Sequence, residues 1–506
     1  MLCRVRSSVL SGLTAYSVDV EVEASEGKHS YTTIGMGDIA VRESKDRVLS
    51  AIKKCGVPTL PKILVNLAPA ELKKEGSAFD LAIAVGILGA SWRNGRLDLQ
   101  GRSFVGELSL NGEIKPVRGI VAHAIEAVEM GLDEIIVARE NEAEARLVSG
   151  ITVTAMDSLV DLIAYLCGEL VPEPSETSEN SIIEYHPKTL LDVRGQKKAK
   201  RAMEIAAAGG HNLLMVGPPG CGKSMLAERF ASLLPPLSRN EMLEVAKIHS
   251  VAGLPLEELL AGIRPFRNPH HVISEPGLVG GGSIPRPGEV SLAHHGVLFL
   301  DEFPEFKRGV LEALRQPLES GRVRVSRAKS SIEYPAMFQL IAAMNPCPCG
   351  RLGVSGSSCM CSRGAIYSYL KKLSLPILDR IDLHVEVEAV PFTELSCTQE
   401  NNEDLTIAER VLEARERAYH RAKVLNARIS SADINEHVRP KASALELLKR
   451  MTQKTSLSAR GYFRILKVAR TIADLRGGEH VNDEDIAEAS SYRTLHRIEQ
   501  YCMGGS

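Results

Sequence analysis

The sequence predicts an α/β protein in three parts: an α+β domain over residues 1–170, a P-loop α/β core over 188–393, and a helical domain over 394–506. Three observations predict this. A glycine loop of phosphate-binding type stands between an apolar run and a helical pattern. Two later apolar runs end in acids or an amide. An acidic stretch rich in Pro and Ser, 171–187, reads as a linker ahead of the core.

In the first part, Val18 to Glu23 alternates like a strand with one wet face. Ser44 to Lys54 reads as an amphipathic helix, Ile63 to Leu67 as a strand, and Phe79 to Leu88 as an apolar helix. Phe104 to Ile114 reads as a hairpin turning at Asn111-Gly112. His123 to Met130 is helical by pattern, and Glu134 to Ala138 is a further strand.

The core opens on Gly217-Pro218-Pro219-Gly220-Cys221-Gly222-Lys223-Ser224, which reads G-x-x-x-x-G-K-S. Glycines let backbone N–H groups turn toward phosphate oxygens, and the following helix adds its positive end. Lys223 is expected to reach the β/γ-phosphates of ATP, and the Ser224 hydroxyl to ligate Mg²⁺. Val297 to Leu300 is a buried-strand run ending in Asp301-Glu302. Asp301 is placed to hold Mg²⁺ through water, and Glu302 to orient the attacking water and take its proton. Phe338 to Met344 is a third such run, ending in Asn345, whose amide can position water. Arg380 precedes an alternating strand, Leu383 to Val390. It is either an arginine offered to a neighbour's phosphates or a structural ion-pair arginine.

Between the acids and Asn345, Gly321 to Ser326 and Ser331 to Tyr334 alternate as a hairpin carrying Arg322, Arg324, Arg327 and Lys329. Glu275 to Glu289, rich in Gly and Pro, reads as an irregular loop. In the last part, Leu405 to Arg428 reads as one long charged helix, followed by helices over Ala442 to Lys454, Ala459 to Leu475 and Asp483 to Tyr492.

Composition narrows the function classes. The net charge of −2 gives no global basic field, so any nucleic-acid contact must come from a local patch. No run approaches the roughly 20 apolar residues of a membrane span, and the start of the chain lacks a signal-peptide core, so a cytoplasmic protein without membrane partners is expected. Ten cysteines are then expected to be reduced or metal-bound. Cys347, Cys349, Cys359 and Cys361 make C-x-C…C-x-C within fifteen residues, a set suited to tetrahedral Zn²⁺. The adjacent pairs His270-His271 and His294-His295 are not natural chelates, because neighbours on a strand point to opposite faces.

P-loop, acids, amide and arginine, in that order, resemble the Walker A, Walker B, sensor 1 and arginine finger of AAA+ ATPases. More specific are Pro265-Phe266-Arg267-Asn268-Pro269-His270-His271, Gly280-Gly281-Gly282, Pro285 to Glu289, His294-His295-Gly296 and Met344 to Gly350. These resemble the YifB/ComM family of magnesium-chelatase-like AAA+ ATPases along essentially the whole chain. The resemblance implies a homo-hexameric ring acting on DNA as a branch-migration helicase in natural transformation and recombination, with recombination proteins as further partners. A motor that remodels a protein, as in magnesium chelatase, is the second reading. The resemblance further implies that Val193 and Gln196 seat the adenine, that Arg460 is a sensor 2 arginine acting in cis or trans, and that the basic hairpin faces the ring's pore. The first domain resembles Lon-type proteases, of ribosomal S5-like fold, through Lys73 to Leu81 and Leu110 to Gly119. Aligned without gaps, the Lon serine falls on Ala78 and the lysine on Val121, which implies a non-proteolytic scaffold.

Overall fold

Val18, Val20, Val22 and Ala24 occupy every second position of the later part of Thr14–Ser25 and are all buried, so this part of the strand lies flat on a core. In a computed structural model of the chain, describing residues 1–35, 39–72, 74, 76–92, 97–172, 189–282, 285–327, 330–353, 358–390, 406–455 and 458–493, that strand pairs antiparallel with Leu2–Ser11 and with Lys62–Ala68. The full sheet runs Ser30–Ile34, Lys62–Ala68, Thr14–Ser25, Leu2–Ser11, Arg102–Phe104, Glu134–Ala138, Thr152–Met156. Helix Asp80–Ser91 is apolar on all sides and packs within the same core.

The chain divides into two units, and the first is discontinuous: residues 1–183 together with 239–261. Helix Arg239–Ala252 belongs to this first unit. There the Gly119 N–H donates to the Ser250 carbonyl at 3.1 Å, and Ser250 Oγ donates to Glu144 at 2.8 Å.

The second unit, residues 184–238 and 262–506, is built on a five-stranded sheet. Its order is Phe266–Arg267, Val297–Leu300, Gln339–Met344, Leu213–Val216, Leu383–Glu386, with every pairing parallel. Such a sheet is covered on both faces, which is why its strands read as continuous apolar runs. Helix Lys197–Gly209 shares one core with Ile407–Ala422, Ala442–Thr455, Ala459–Leu475 and Asp483–Ser491. The mixed α/β character, the parallel sheet and the C-terminal helices are as the sequence predicts. No helix of the described residues is long and apolar enough to cross a membrane.

Several local expectations are corrected. The helix expected to run to Arg428 ends at Ala422, because Lys423 turns left-handed at φ 58° and a 3₁₀ turn, Asn426–Arg428, follows. The stretch 275–289 is not wholly irregular: Glu275–Val279 is a short helix, and Gly280–Gly281 pairs with Arg286–Pro287. Of the hairpin expected over 104–114, only Glu107–Leu108 and Ile114–Lys115 pair, while Arg102–Phe104 joins the main sheet. Most of the stretch read as a linker, Lys329, and the side chain of Arg327 lie outside the described residues.

Candidate functional site

Leu213–Val216 and Val297–Leu300 both pair in parallel with Gln339–Met344, so the residues that follow each strand emerge at one edge of the sheet. That edge is where parallel sheets bind ligands. The glycine loop leaves the first of these strands. A Cβ on Gly217 would lie 2.2 Å from the Val387 carbonyl oxygen, so only glycine fits. Helix Lys223–Phe230 starts directly from Gly222, which leaves its first-turn N–H groups for an anion.

Lys223 Nζ lies 2.8 Å from the carbonyls of both Gly217 and Pro218, and 3.3 Å from Asn345 Oδ1. Ser224 Oγ lies 2.7 Å from Asp301 Oδ2. Two adjacent oxygens on an octahedral Mg²⁺ stand about 3.0 Å apart, given Mg–O distances of about 2.1 Å. This pair therefore fits the metal. Glu302 takes a left-handed φ of 50°, and its N–H donates to Asp301 Oδ1 at 2.8 Å. Its side chain stays 60% exposed, facing His271. Lys223, Ser224, Asp301, Glu302 and Asn345 all line one cavity of about 630 Å³, with Pro219, Gly220 and Gly222 from the loop. Cys221 is buried, and Gly217 and Pro218 do not line this cavity.

Val193 and Gln196 do not line the cavity either. Val193 is buried in the unit's apolar core, and Gln196 Nε2 donates to the carbonyls of Cys221 at 3.2 Å and Glu388 at 2.6 Å. Gln196 thereby ties the back of the glycine loop to the end of the last sheet strand.

Arg380 and Arg460 come together elsewhere, lining a second cavity of about 340 Å³ with Glu319, Arg428, Arg464 and Lys467. Arg380 donates to Glu319, and Arg460 stands 3.8 Å from the same carboxylate. Burial lowers the Arg380 pKa; Glu319 opposes that shift, and repulsion from Arg315 and Arg460 adds to it. Its Nε is buried with no hydrogen-bond partner among the described residues. Five cations thus face two acids, Glu319 and Asp382, the latter bound by Arg464 at 2.6 Å.

The four cysteines converge. Cys347, Cys349 and Cys359 have sulfur separations of 3.4, 3.7 and 3.6 Å, and all four sulfurs lie within 4.8 Å of one another. A tetrahedron of thiolates about 2.3 Å from Zn²⁺ has edges of about 3.8 Å. The donor set fits that ion in both chemistry and spacing. The Arg351 backbone N–H, then the Cys361 thiol, bring the Cys349 thiol down to about 6. The cysteine loop lies against the glycine loop: a Cβ on Gly350, at φ 74°, would come 2.5 Å from Pro219 Cδ.

The basic hairpin forms from Arg322–Arg327 and Ser330–Pro335. Glu333 sits across from Arg324 and pairs with Arg322 at 2.8 Å and Arg324 at 3.5 Å. Tyr334 is buried, its hydroxyl donating to the Pro285 carbonyl at 2.9 Å, so it offers no stacking face. In the first unit, Ser77 Oγ donates to Glu107, and Val121 is buried in helix Ile120–Glu129.

Neither histidine pair lies on a strand, so the expected divergence fails: ring centroids are 4.2 Å apart in His270-His271 and 4.0 Å apart in His294-His295. His294 and His295 shape a turn. His294 Nδ1 accepts from the Met337 N–H at 3.0 Å, and the His295 N–H donates to the Met337 carbonyl at 2.7 Å. His270 and His271 instead line the main cavity. No pattern in the sequence marks them for it. The available signal was their place just after a strand that neighbours the strand ending in Asp301-Glu302.

Comparison with known proteins identifies relatives along the whole chain. Residues 189–395 match the family model of magnesium chelatase, subunit ChlI; residues 20–141 match subunit ChlI of Mg-chelatase, and 402–493 its C-terminal region. The chain is 44% identical to Competence protein ComM of Haemophilus influenzae over 505 residues, covering 99% of both chains. It is 43% identical to YifB of Escherichia coli, over 98% of this chain and 97% of that one. It is 24% identical to the Magnesium-chelatase 38 kDa subunit of Rhodobacter capsulatus, over 60% of this chain and 86% of that one.

Proposed function

The chain belongs to the ComM/YifB family of magnesium-chelatase-like AAA+ ATPases, and from that premise we propose that it is a hexameric, ATP-driven DNA motor. It moves branch points or strands of DNA during natural transformation and recombination. One observation carries the ring: Arg380 and Arg460 share a cavity that no P-loop residue lines. In this reading the two arginines, lying apart from their own chain's phosphate site, complete that of a second copy.

In this reading Lys223 and the loop N–H groups hold the phosphates, while Ser224 and Asp301 hold Mg²⁺. Asn345 places water and Glu302 takes its proton. Arg380 and Arg460 meet the neighbour's nucleotide, while Val193, buried in the core, and Gln196, tied to backbone carbonyls, brace the glycine loop from behind instead of seating the adenine. Cys347, Cys349, Cys359 and Cys361 hold a structural Zn²⁺ that pins the segment after Asn345. The hairpin, with Arg322, Arg324, Arg327 and Lys329, meets DNA phosphates by charge. Residues 1–170 together with 239–261 act as a non-proteolytic Lon-like scaffold, correcting the expected unbroken core, with the rest of 188–393 as the motor core and 394–506 as the lid.

The name of the Haemophilus relative, a competence protein, supports DNA as the cargo. The experiment is ATP turnover with and without single-stranded or forked DNA, followed by branch migration of a three-stranded substrate. DNA-stimulated turnover and strand movement are expected. A chain that neither binds nor moves DNA under any nucleotide condition belongs instead with the protein-remodelling motors.

A further inference from the structure

Phe266–Arg267 pairs in parallel with Val297–Leu298, so the loop leaving it emerges beside the acids that follow Leu300. The start of that loop is anchored, because Arg267 grips Glu289 through two nitrogens at 2.6 and 3.0 Å. The Ile273 N–H closes a turn on the His270 carbonyl at 3.0 Å. This turn carries His271 over the main cavity, where Nδ1 lies 3.3 Å from Glu302 Oε2, within ion-pair distance.

The imidazole is held on two sides. The His270 ring lies against it, with centroids 4.2 Å apart, and the buried Phe306 ring meets it nearly edge-on at 6.4 Å and 77°. Glu302 has far more freedom. Its backbone is pinned by Asp301, but its carboxylate is more than half exposed. A general base must stand within hydrogen-bond reach of the water it deprotonates. A half-free carboxylate meets that condition only part of the time unless something orients it.

We propose that His271 is a positioning residue for Glu302. It holds Oε2, which leaves Oε1 free to take the proton of the attacking water. The proposal rests on Glu302 being the base, and the experiment separates the two ideas. A group displaced by about an ångström from productive geometry costs on the order of a hundredfold in rate.

Steady-state ATP hydrolysis and binding of a fluorescent ATP analogue are measured on the full chain and on His271→Ala, His271→Asn, Glu302→Gln and the double variant His271→Ala/Glu302→Gln. His271→Ala is expected to lower kcat roughly ten- to a hundredfold with KM and analogue affinity within about twofold of the parent. Asn can place its amide nitrogen where Nδ1 stood, so His271→Asn recovers most of the loss. In the Glu302→Gln background, adding His271→Ala changes the residual rate by less than about twofold, because the group being positioned is already inert. The proposal is overturned if His271→Ala keeps parent kcat, if its KM rises while kcat holds, or if Asn serves no better than Ala. A rise in KM alone would make His271 a phosphate contact. Parent-rate turnover by Glu302→Gln would instead remove Glu302 as the base, whatever His271 does.

Discussion

Acidification should loosen the first unit through one buried imidazole. His123 is buried, with Nδ1 2.6 Å from Ser8 Oγ. Burial pushes it from an ordinary 6.5 down to about 4. The folded unit therefore keeps His123 neutral between those values, while the unfolded chain binds the proton. Stability from this group is full above about pH 6.5, falls as pH drops toward 4, and levels off below. Each unit of pKa difference is worth about 1.4 kcal/mol, so the whole loss is about 3 kcal/mol, and the part between pH 7 and pH 5 is about 2 kcal/mol. With urea slopes of about 1–3 kcal/mol/M, the midpoint should fall by roughly 1 M. The assay is built in: Trp92, the one tryptophan of the chain, packs against this unit's core, so its fluorescence follows this unit. Asp80, Glu126 and Glu144 are raised mainly by burial and act in the opposite direction, so the parent is compared with His123→Asn at both pH values. The parent should lose about 2 kcal/mol more than the variant between pH 7 and pH 5. Equal pH dependence in the two proteins would refute the reasoning.

Three further outcomes are expected. Lys223→Ala should lose ATP binding, while Glu302→Gln should bind ATP without turning it over; equilibrium binding and phosphate release check both. Arg380→Ala should bind ATP normally and hydrolyse it at least a hundredfold more slowly, and mixing it with Lys223→Ala should restore activity; no rescue in rings that exchange subunits makes Arg380 structural. Elemental analysis should find about one Zn²⁺ per chain, lost in Cys359→Ser together with a lower melting temperature; a metal-free protein of full stability and activity would remove the zinc reading.

The nucleotide residues were legible because their signal is local. Gly217 to Ser224, Asp301-Glu302 and Asn345 each follow their own apolar run, and the parallel sheet does the rest of the assembly. The contact between His271 and Glu302 joins positions thirty-one residues apart, and only the pairing of Phe266 with Val297 creates it. Ser7 and Ser8 interrupt the apolar alternation of Leu2–Ser11, so that strand gave no pattern; both serines are buried, hydrogen-bonded to the Phe104 carbonyl and to His123. Periodicity over-extended the helix ending at Ala422, because its left-handed stop falls on Lys423, where the usual glycine signal is missing and the charge pattern shows no gap.

The excursion of residues 239–261 into the first unit bears on how such a protein can be divided, by evolution or by an experimenter. A gene fragment ending near residue 172 lacks part of its own fold. A fragment beginning near 189 carries a helix whose Val245, Ala246 and Ile248 are fully buried in the whole chain. Neither piece is a cassette. Cutting the backbone once, between 173 and 188, should leave two polypeptides that copurify, because the second still threads a helix through the fold of the first.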